Sequence, residues 1–212
     1  MRLTMPRSTL LSALAAALLL AGCASAPTHF YTLATPANTA SAAPTGTASN
    51  ARTFIEISPI ALPERLARPQ LVVRSAGATS ATRVDILEQE RWSSPFNNEL
   101  RDAFASGLAN RLNATDVSRN GRPTDQPVYR IAIELREFDA IPGQQVQATY
   151  GWTITRSDNS RTTACQLTLT EPVGSGIDAL VLGVQRTVTG AVGAIAANVE
   201  GFKVNAGTVC KS

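Results

Sequence analysis

From residue 129 the chain alternates. Tyr129, Ile131, Ile133 and Leu135 are apolar, while Arg130, Glu134 and Arg136 between them are charged. A period of two sends the two sets to opposite sides of a strand, one buried and one wet. Val146, Ala148, Tyr150, Trp152 and Ile154 repeat the pattern against Gln145, Gln147, Thr149 and Thr153. Ser157, Asp158, Asn159 and Ser160 are turn formers, and Thr163, Cys165, Leu167 and Leu169 resume the alternation beyond them. These runs predict an antiparallel meander of three strands. Upstream, residues 54–60 have strand composition ended by Pro59, and residues 70–74 read as another strand. Residues 83–88 alternate weakly and can pair with 70–74 across a turn at Gly77.

Two segments change period. Phe96, Leu100, Phe104, Leu108 and Leu112 recur every four residues, which predicts a helix over residues 95–113 with a core-facing stripe. Ser94 is placed to cap it, and Pro95 suits the first turn, where a missing N–H is harmless. Ile177, Val181, Val184, Val188, Val192, Ile195 and Val199 predict a second helix over residues 177–202. It is apolar enough to raise a transmembrane reading, but Asp178, Gln185, Arg186 and Asn198 make lipid costly there. Gly183, Gly190 and Gly193 would let it lie close on a sheet. Residues 121–127 form a loop. The order is strand, strand, strand, helix, meander, helix. It predicts an α+β two-layer sandwich, a mostly antiparallel sheet with two main helices packed on one face.

The N-terminus reads differently. Arg2 and Arg7 precede an uncharged Leu/Ala run over residues 9–20, which ends at Leu20-Ala21-Gly22-Cys23. A basic end, a short apolar stretch and small residues at a cut describe a secretory signal. About twelve apolar residues are too few to cross a hydrocarbon core roughly 30 Å thick. The Leu-Ala-Gly-Cys run resembles the bacterial lipobox. That resemblance implies cleavage between Gly22 and Cys23, and acylation of the Cys23 thiol and of the new amino group. Several chains are needed, because one alone attaches only marginally. Ala24 rather than Asp follows Cys23, which by the same resemblance directs the protein to the outer membrane.

The expected organisation is a signal peptide over 1–22, a lipidated N-terminus over 23–28 and a first strand over 29–33. A flexible Ala/Thr/Pro-rich segment over 34–52 and a periplasmic α+β domain over 53–212 complete it. Residues 34–52 carry too little apolar surface to offset ordering entropy. The alternative for His29-Phe30-Tyr31-Thr32-Leu33 is part of a disordered tether. Loss of Arg2 and Arg7 lowers the formal charge from +3 to +1, so nothing points to nucleic acid.

Candidate chemistry is sparse. His29 is the single histidine, so any Ser-His-Asp triad would have to use it, and a His-rich zinc site is excluded. No Gly-x-Ser-x-Gly, P-loop or His-Glu-x-x-His sequence occurs, and Gly174-Ser175-Gly176 is too short for a nucleophile elbow. The reading is therefore a protein that is not an enzyme and holds no metal or cofactor. A hydrolase with an unusual Ser/Asp pair is the remote rival. With Cys23 assigned to acylation, Cys165 and Cys210 are left in an oxidising compartment, where they are expected to form a disulfide.

Phe30-Tyr31-Thr32-Leu33 shortly after the lipobox, Arg68-Pro69-Gln70-Leu71-Val72-Val73-Arg74, and Arg91-Trp92 ahead of the first helix resemble one family. It is that of the ABC-type transport auxiliary lipoproteins, the PqiC-like partners of intermembrane lipid transport systems. The likeness covers most of the mature chain in order and length. It implies a lipid-anchored protein on the periplasmic face of the outer membrane, docked to a tube of MCE-domain protein and suited to ring assembly in several copies. Arg91, Trp92, Arg68 and Arg74 are the candidate partner contacts, Arg and Trp being favoured at interface hot spots. The plainer alternative wedges Trp92 under the helix start, pairs Arg91 with Glu88 and leaves the other arginines solvated. The alternative function is a stand-alone periplasmic lipoprotein that binds a lipid or other apolar ligand between sheet and helices.

Overall fold

Two sheets of unequal size share one pair of helices in the computed structural model, which describes residues 26–34, 53–75, 82–119, 121–204 and 210. The signal, the lipobox with Cys23, the Gly77 turn and nearly all of the 34–52 segment lie outside these residues. In chain order the elements begin with β1 (His29–Tyr31), β2 (Thr53–Ile57), β3 (Gln70–Arg74) and β4 (Val84–Trp92). Then come α1 (Phe96–Leu112), β5 (Ala114–Asp116), β6 (Val128–Ile141), β7 (Gln145–Arg156), β8 (Thr162–Pro172) and α2 (Ile177–Lys203). This is an α+β fold with both long helices on one face of the larger sheet.

The larger sheet runs β5-β2-β6-β7-β8. Its β6–β7–β8 portion is the antiparallel meander that the alternation predicts. Ile131, Ile133, Leu135, Val146, Ala148, Tyr150 and Ile154 form its helix-facing side and are buried. A bulge between Leu135 and Glu137 inserts Arg136, whose guanidinium lies over Gly151; a Cβ at that glycine would sit 2.7 Å from Arg136 Nε. The sheet is mixed, because β2 pairs in parallel with both β5 and β6. Strand periodicity carries no information about pairing partners, and β5 is too short to have a period.

The expected single sheet is in fact two. The smaller one runs β1-β4-β3, with β4 antiparallel to β3 and parallel to β1. Its inner face, with Leu71, Val73 and Trp92, closes the core beside the start of α2.

Helix α1 buries the predicted stripe, Phe96, Leu100, Phe104, Leu108 and Leu112. Its start differs from expectation: Pro95 occupies the cap position, and Ser94 makes no capping bond. At its end Asn113 adopts the left-handed conformation, and its N–H donates to Ala109 and Asn110 carbonyls. Helix α2 is long and apolar enough to cross a membrane by length and composition, but 56% of its apolar window is buried inside the fold. Two buried polar bonds fix it on the sheet: Trp152 Nε1 donates to Asn198 Oδ1 at 2.9 Å, and the Tyr150 hydroxyl meets Thr187 Oγ1 at 3.2 Å. Apolar packing alone has no direction, so these two pairs set the helix's rotation and register on β7.

Close approach explains the glycines unevenly. A Cβ on Gly183 would collide with Val173 and come within 3.2 Å of Val146, and one on Gly190 would meet Leu169 at 3.1 Å. Gly107 of α1 lies equally tight against α2, 2.9 Å from Val192 Cγ2 by the same measure. Gly193, expected to permit such packing, faces open space instead. Opposite effects should follow in urea unfolding. Gly183→Ala should cost about 1–3 kcal/mol by overpacking, whereas Gly193→Ala should add roughly 0.5–1 kcal/mol of helix stability.

Cys165 on β8 and Cys210 beyond α2 are bonded to each other, with Cα atoms 5.5 Å apart and a sequence separation of 45. On the chain-entropy account a loop of this length contributes roughly 4 kcal/mol. The Cys165→Ser/Cys210→Ser pair should lose stability up to that amount. Reductant should shift the unfolding midpoint of the wild type but leave the variant's unchanged.

Candidate functional site

The candidate partner residues converge on the small sheet. Arg68 stands two residues before β3, Arg74 ends it, and Arg91 and Trp92 end β4. Trp92 does not face solvent. It is 5% exposed and stacks on Phe96 with centroids 4.8 Å apart, and Phe96 meets Phe138 edge-on at 5.5 Å. Burying a large ring in such a stack outweighs any gain from exposing it, so Trp92 supports the surface from beneath instead of contacting a partner. Arg91 donates from Nε to the Glu88 carbonyl at 2.9 Å and lies 3.8 Å from the Glu88 carboxylate. Arg68 Nε donates to the Arg65 carbonyl at 2.9 Å, and Arg74 Nε to Asp139 Oδ1 at 2.7 Å.

Between β3 and the end of β6 lies an open groove of about 340 Å³. Leu66, Val72, Val84 and Phe138 give it an apolar floor, while Arg65, Arg74 and Asp139 give it a charged rim. Deeper, the seam between small sheet, β6 and α2 holds a cavity of only about 10 Å³, walled by Leu71, Trp92, Phe96, Leu180 and Val184 among others. A water needs at least about 10–15 Å³ of such space, so this seam is filled. Among the described residues no group of three or more His, Cys, Asp or Glu is placed to hold a metal ion.

Where the small sheet joins the helices, one carboxylate gathers the strands. Glu99, in the first turn of α1, is 6% exposed and has no cation beside it in any hydrogen bond or ion pair described. Oε2 accepts from the Thr32 hydroxyl and the Leu33 N–H, both at 2.9 Å. Oε1 accepts from the Ser93 hydroxyl at 2.7 Å, the Ser94 N–H at 3.0 Å and the Ser94 hydroxyl at 2.9 Å. Gln185 of α2 donates to the Thr32 carbonyl at 3.1 Å, and Ser93 N–H donates to the Tyr31 carbonyl at 2.7 Å. The segment after β1 is thus held by both helices and by the end of β4.

Glu99 has no local sequence signature of this role. A capping box spaces its acid three residues from the serine, whereas here the spacing is five from Ser94 to Glu99, and the donors in Thr32 and Leu33 lie far upstream. Burial on its own would raise the Glu99 pKa. The hydrogen bonds from Ser93, Leu33, Thr32 and Ser94 outweigh it and hold the carboxyl below its ordinary value. A depressed folded value means stability that is full above the unfolded carboxyl pKa and lost as pH falls through the folded one. Wild-type stability should therefore decline below about pH 4.3, the unfolded glutamate value. Glu99→Gln should flatten that acid slope and cost about 1–3 kcal/mol at pH 7, since its NH2 would face donors. Urea titrations of both proteins between pH 2 and 7 measure the difference.

Comparison with known proteins agrees with this architecture. A crystal structure of an uncharacterized protein superposes with a TM-score of 0.65 at 16% identity, covering 82% of this chain and 99% of that one. A Xanthomonas campestris protein superposes with a TM-score of 0.56 at 12% identity, covering 73% and 88%. At such identities the likeness establishes the fold alone. No curated protein matches the chain significantly. The sequence pattern from residue 31 to 196 matches the family described as ABC-type transport auxiliary lipoprotein component. That span runs from Tyr31 through β2 to β8 and α1 and includes most of α2, and the chain therefore belongs to the ABC-type transport auxiliary lipoprotein family.

Proposed function

We propose that the chain is a non-catalytic accessory subunit of an ABC-driven intermembrane lipid transport system, docked to its MCE-domain protein. In this reading residues 1–22 are removed as a signal, and acyl chains on Cys23 hold the body at the periplasmic face of the outer membrane. The observation that carries the docking role is the filled seam between the small sheet, β6 and α2. A seam with about 10 Å³ of space cannot shelter an acyl chain, so the body works by the surfaces it presents. The same observation stands against the alternative of a lipid carried between sheet and helices. Docking falls on the β3 edge, where the groove has an apolar floor and cationic ends. Arg65 and Arg74 line it, Arg68 stands beside Arg65 ahead of the same strand as a further charged contact, and Trp92 stacked on Phe96 backs Phe138 of the floor.

Two measurements test this. Mass spectrometry of the mature protein should find Cys23 first in the chain and acylated; an intact leader or an unmodified thiol rejects the anchor. Affinity capture of the detergent-solubilised protein from envelope membranes should recover an MCE-domain protein. Arg68→Glu should lower that recovery by at least about fivefold, corresponding to the ~1 kcal/mol that marks a contributing interface residue, without changing the melting temperature. Undiminished recovery would remove the β3 edge from the interface.

A further inference from the structure

The outward face of the small sheet, whose β3 side floors the docking groove through Val72 and Val84, continues past the groove toward β1. Among the described residues, Phe30 is 67% exposed and Ile86 41% exposed, although both belong to strands. Both lie on the outward face. Trp92, the partner of Tyr31, and Leu71, the partner of Leu87, turn inward, so Phe30 beside Arg91 and Ile86 beside Val72 turn outward. Arg91, its side chain 37% exposed and 3.8 Å from the Glu88 carboxylate, supplies a cation there. An exposed phenylalanine on a short edge strand gains nothing from the fold and is an unusual choice for an edge open to water.

The chain's path says what lies against this face. Because β1 runs parallel to β4, the residues before it lead back along β4, and Thr28 Oγ1 donates to Gln89 Oε1 at 3.1 Å. Only Ala24, Ser25, Ala26 and Pro27 separate Cys23 from Thr28. Five residues of fully extended chain span about 18 Å at most, and the seven from Cys23 to Phe30 about 25 Å. A folded body of this size is roughly 40 Å across. An acylated Cys23 at the headgroup level therefore cannot reach around the body, and the side of the molecule that meets the bilayer is the one where β1 enters.

We propose that the β1 side of this outward face, centred on Phe30 with Arg91 beside it, rests on the membrane surface. Phe30 enters the headgroup region as a second, non-covalent contact beside the acyl chains. This rests on the acyl-anchor reading of Cys23. It assigns the β1 side of the sheet to lipid and leaves the β3 edge free for the protein partner. The body then has a fixed orientation on the membrane instead of swinging on its tether.

The acylated full-length protein, reconstituted in vesicles of phosphatidylethanolamine and phosphatidylglycerol, tests it. Phe30→Trp places a fluorophore at the proposed contact. Val204→Trp places one at the other end of α2, a residue 73% exposed. Residue 204 lies about 36 Å along the helix from Leu180, which borders the small sheet. Trp92 and Trp152 are buried and give the same background in both variants. With dibrominated phosphatidylcholine in the vesicles, the probe at position 30 should be strongly quenched and shifted to shorter wavelength, and the probe at 204 unaffected. Protein that floats with vesicles but shows no quenching at position 30 overturns the proposal and leaves the anchor intact. So does equal quenching at both positions, because it means no preferred orientation. Protein that fails to float at all rejects the anchor, and the proposal with it.

Discussion

A single buried carboxylate decides how the parts of this protein meet. Glu99 is removed from water without a cation and is kept ionised by five donors drawn from two separate stretches of chain. A buried charge that cannot be hydrated is tolerated only if nearly all its lone-pair sites are filled. Filling them requires Thr32 and Leu33 on one side and Ser93 and Ser94 on the other. The strand nearest the proposed membrane anchor is in this way locked to the start of α1. A short strand of three residues such as β1 has too few ladder bonds to hold itself in place. Its attachment depends on this carboxylate and on Gln185 reaching the same segment from α2.

The second constraint is tight packing of α2. Gly183 and Gly190 bring it onto β8 and its neighbours, and Gly107 brings α1 onto it. Two buried polar pairs, Trp152 with Asn198 and Tyr150 with Thr187, then permit one placement only. The consequence is functional. Helices that lie this close to the sheet fill the seam beside the small sheet, which under the proposed docking role leaves the surfaces to do the work.

The small sheet offers such surfaces. It is attached at one edge to the segment leading to Cys23 and open at the other beside the groove of Arg74, Phe138 and Asp139. Its inner face completes the core through Leu71, Val73 and Trp92, so its outer face and edges are placed rigidly relative to both helices. A lipid-facing side and a protein-facing side on one rigid three-stranded unit would hold a transport partner at a set height above a membrane.

The sequence by itself determined the meander and both helices, because periods of two and 3.6 over ten or more residues record which side of an element is buried. It also determined the absence of the common catalytic motifs, and the ordered motifs that resemble the family. The tertiary structure alone decided the division into two sheets, the parallel pairings of β1, β2 and β5, and the inward turn of Trp92. Pairing partners and the burial of a single aromatic depend on neighbours distant in sequence, which no local pattern encodes. Glu99 shows the same limit most plainly. As a residue in the first turn of a helix it looks like an ordinary solvated acid, and only the arrival of Thr32 and Leu33, more than sixty positions upstream, turns it into the junction of the fold.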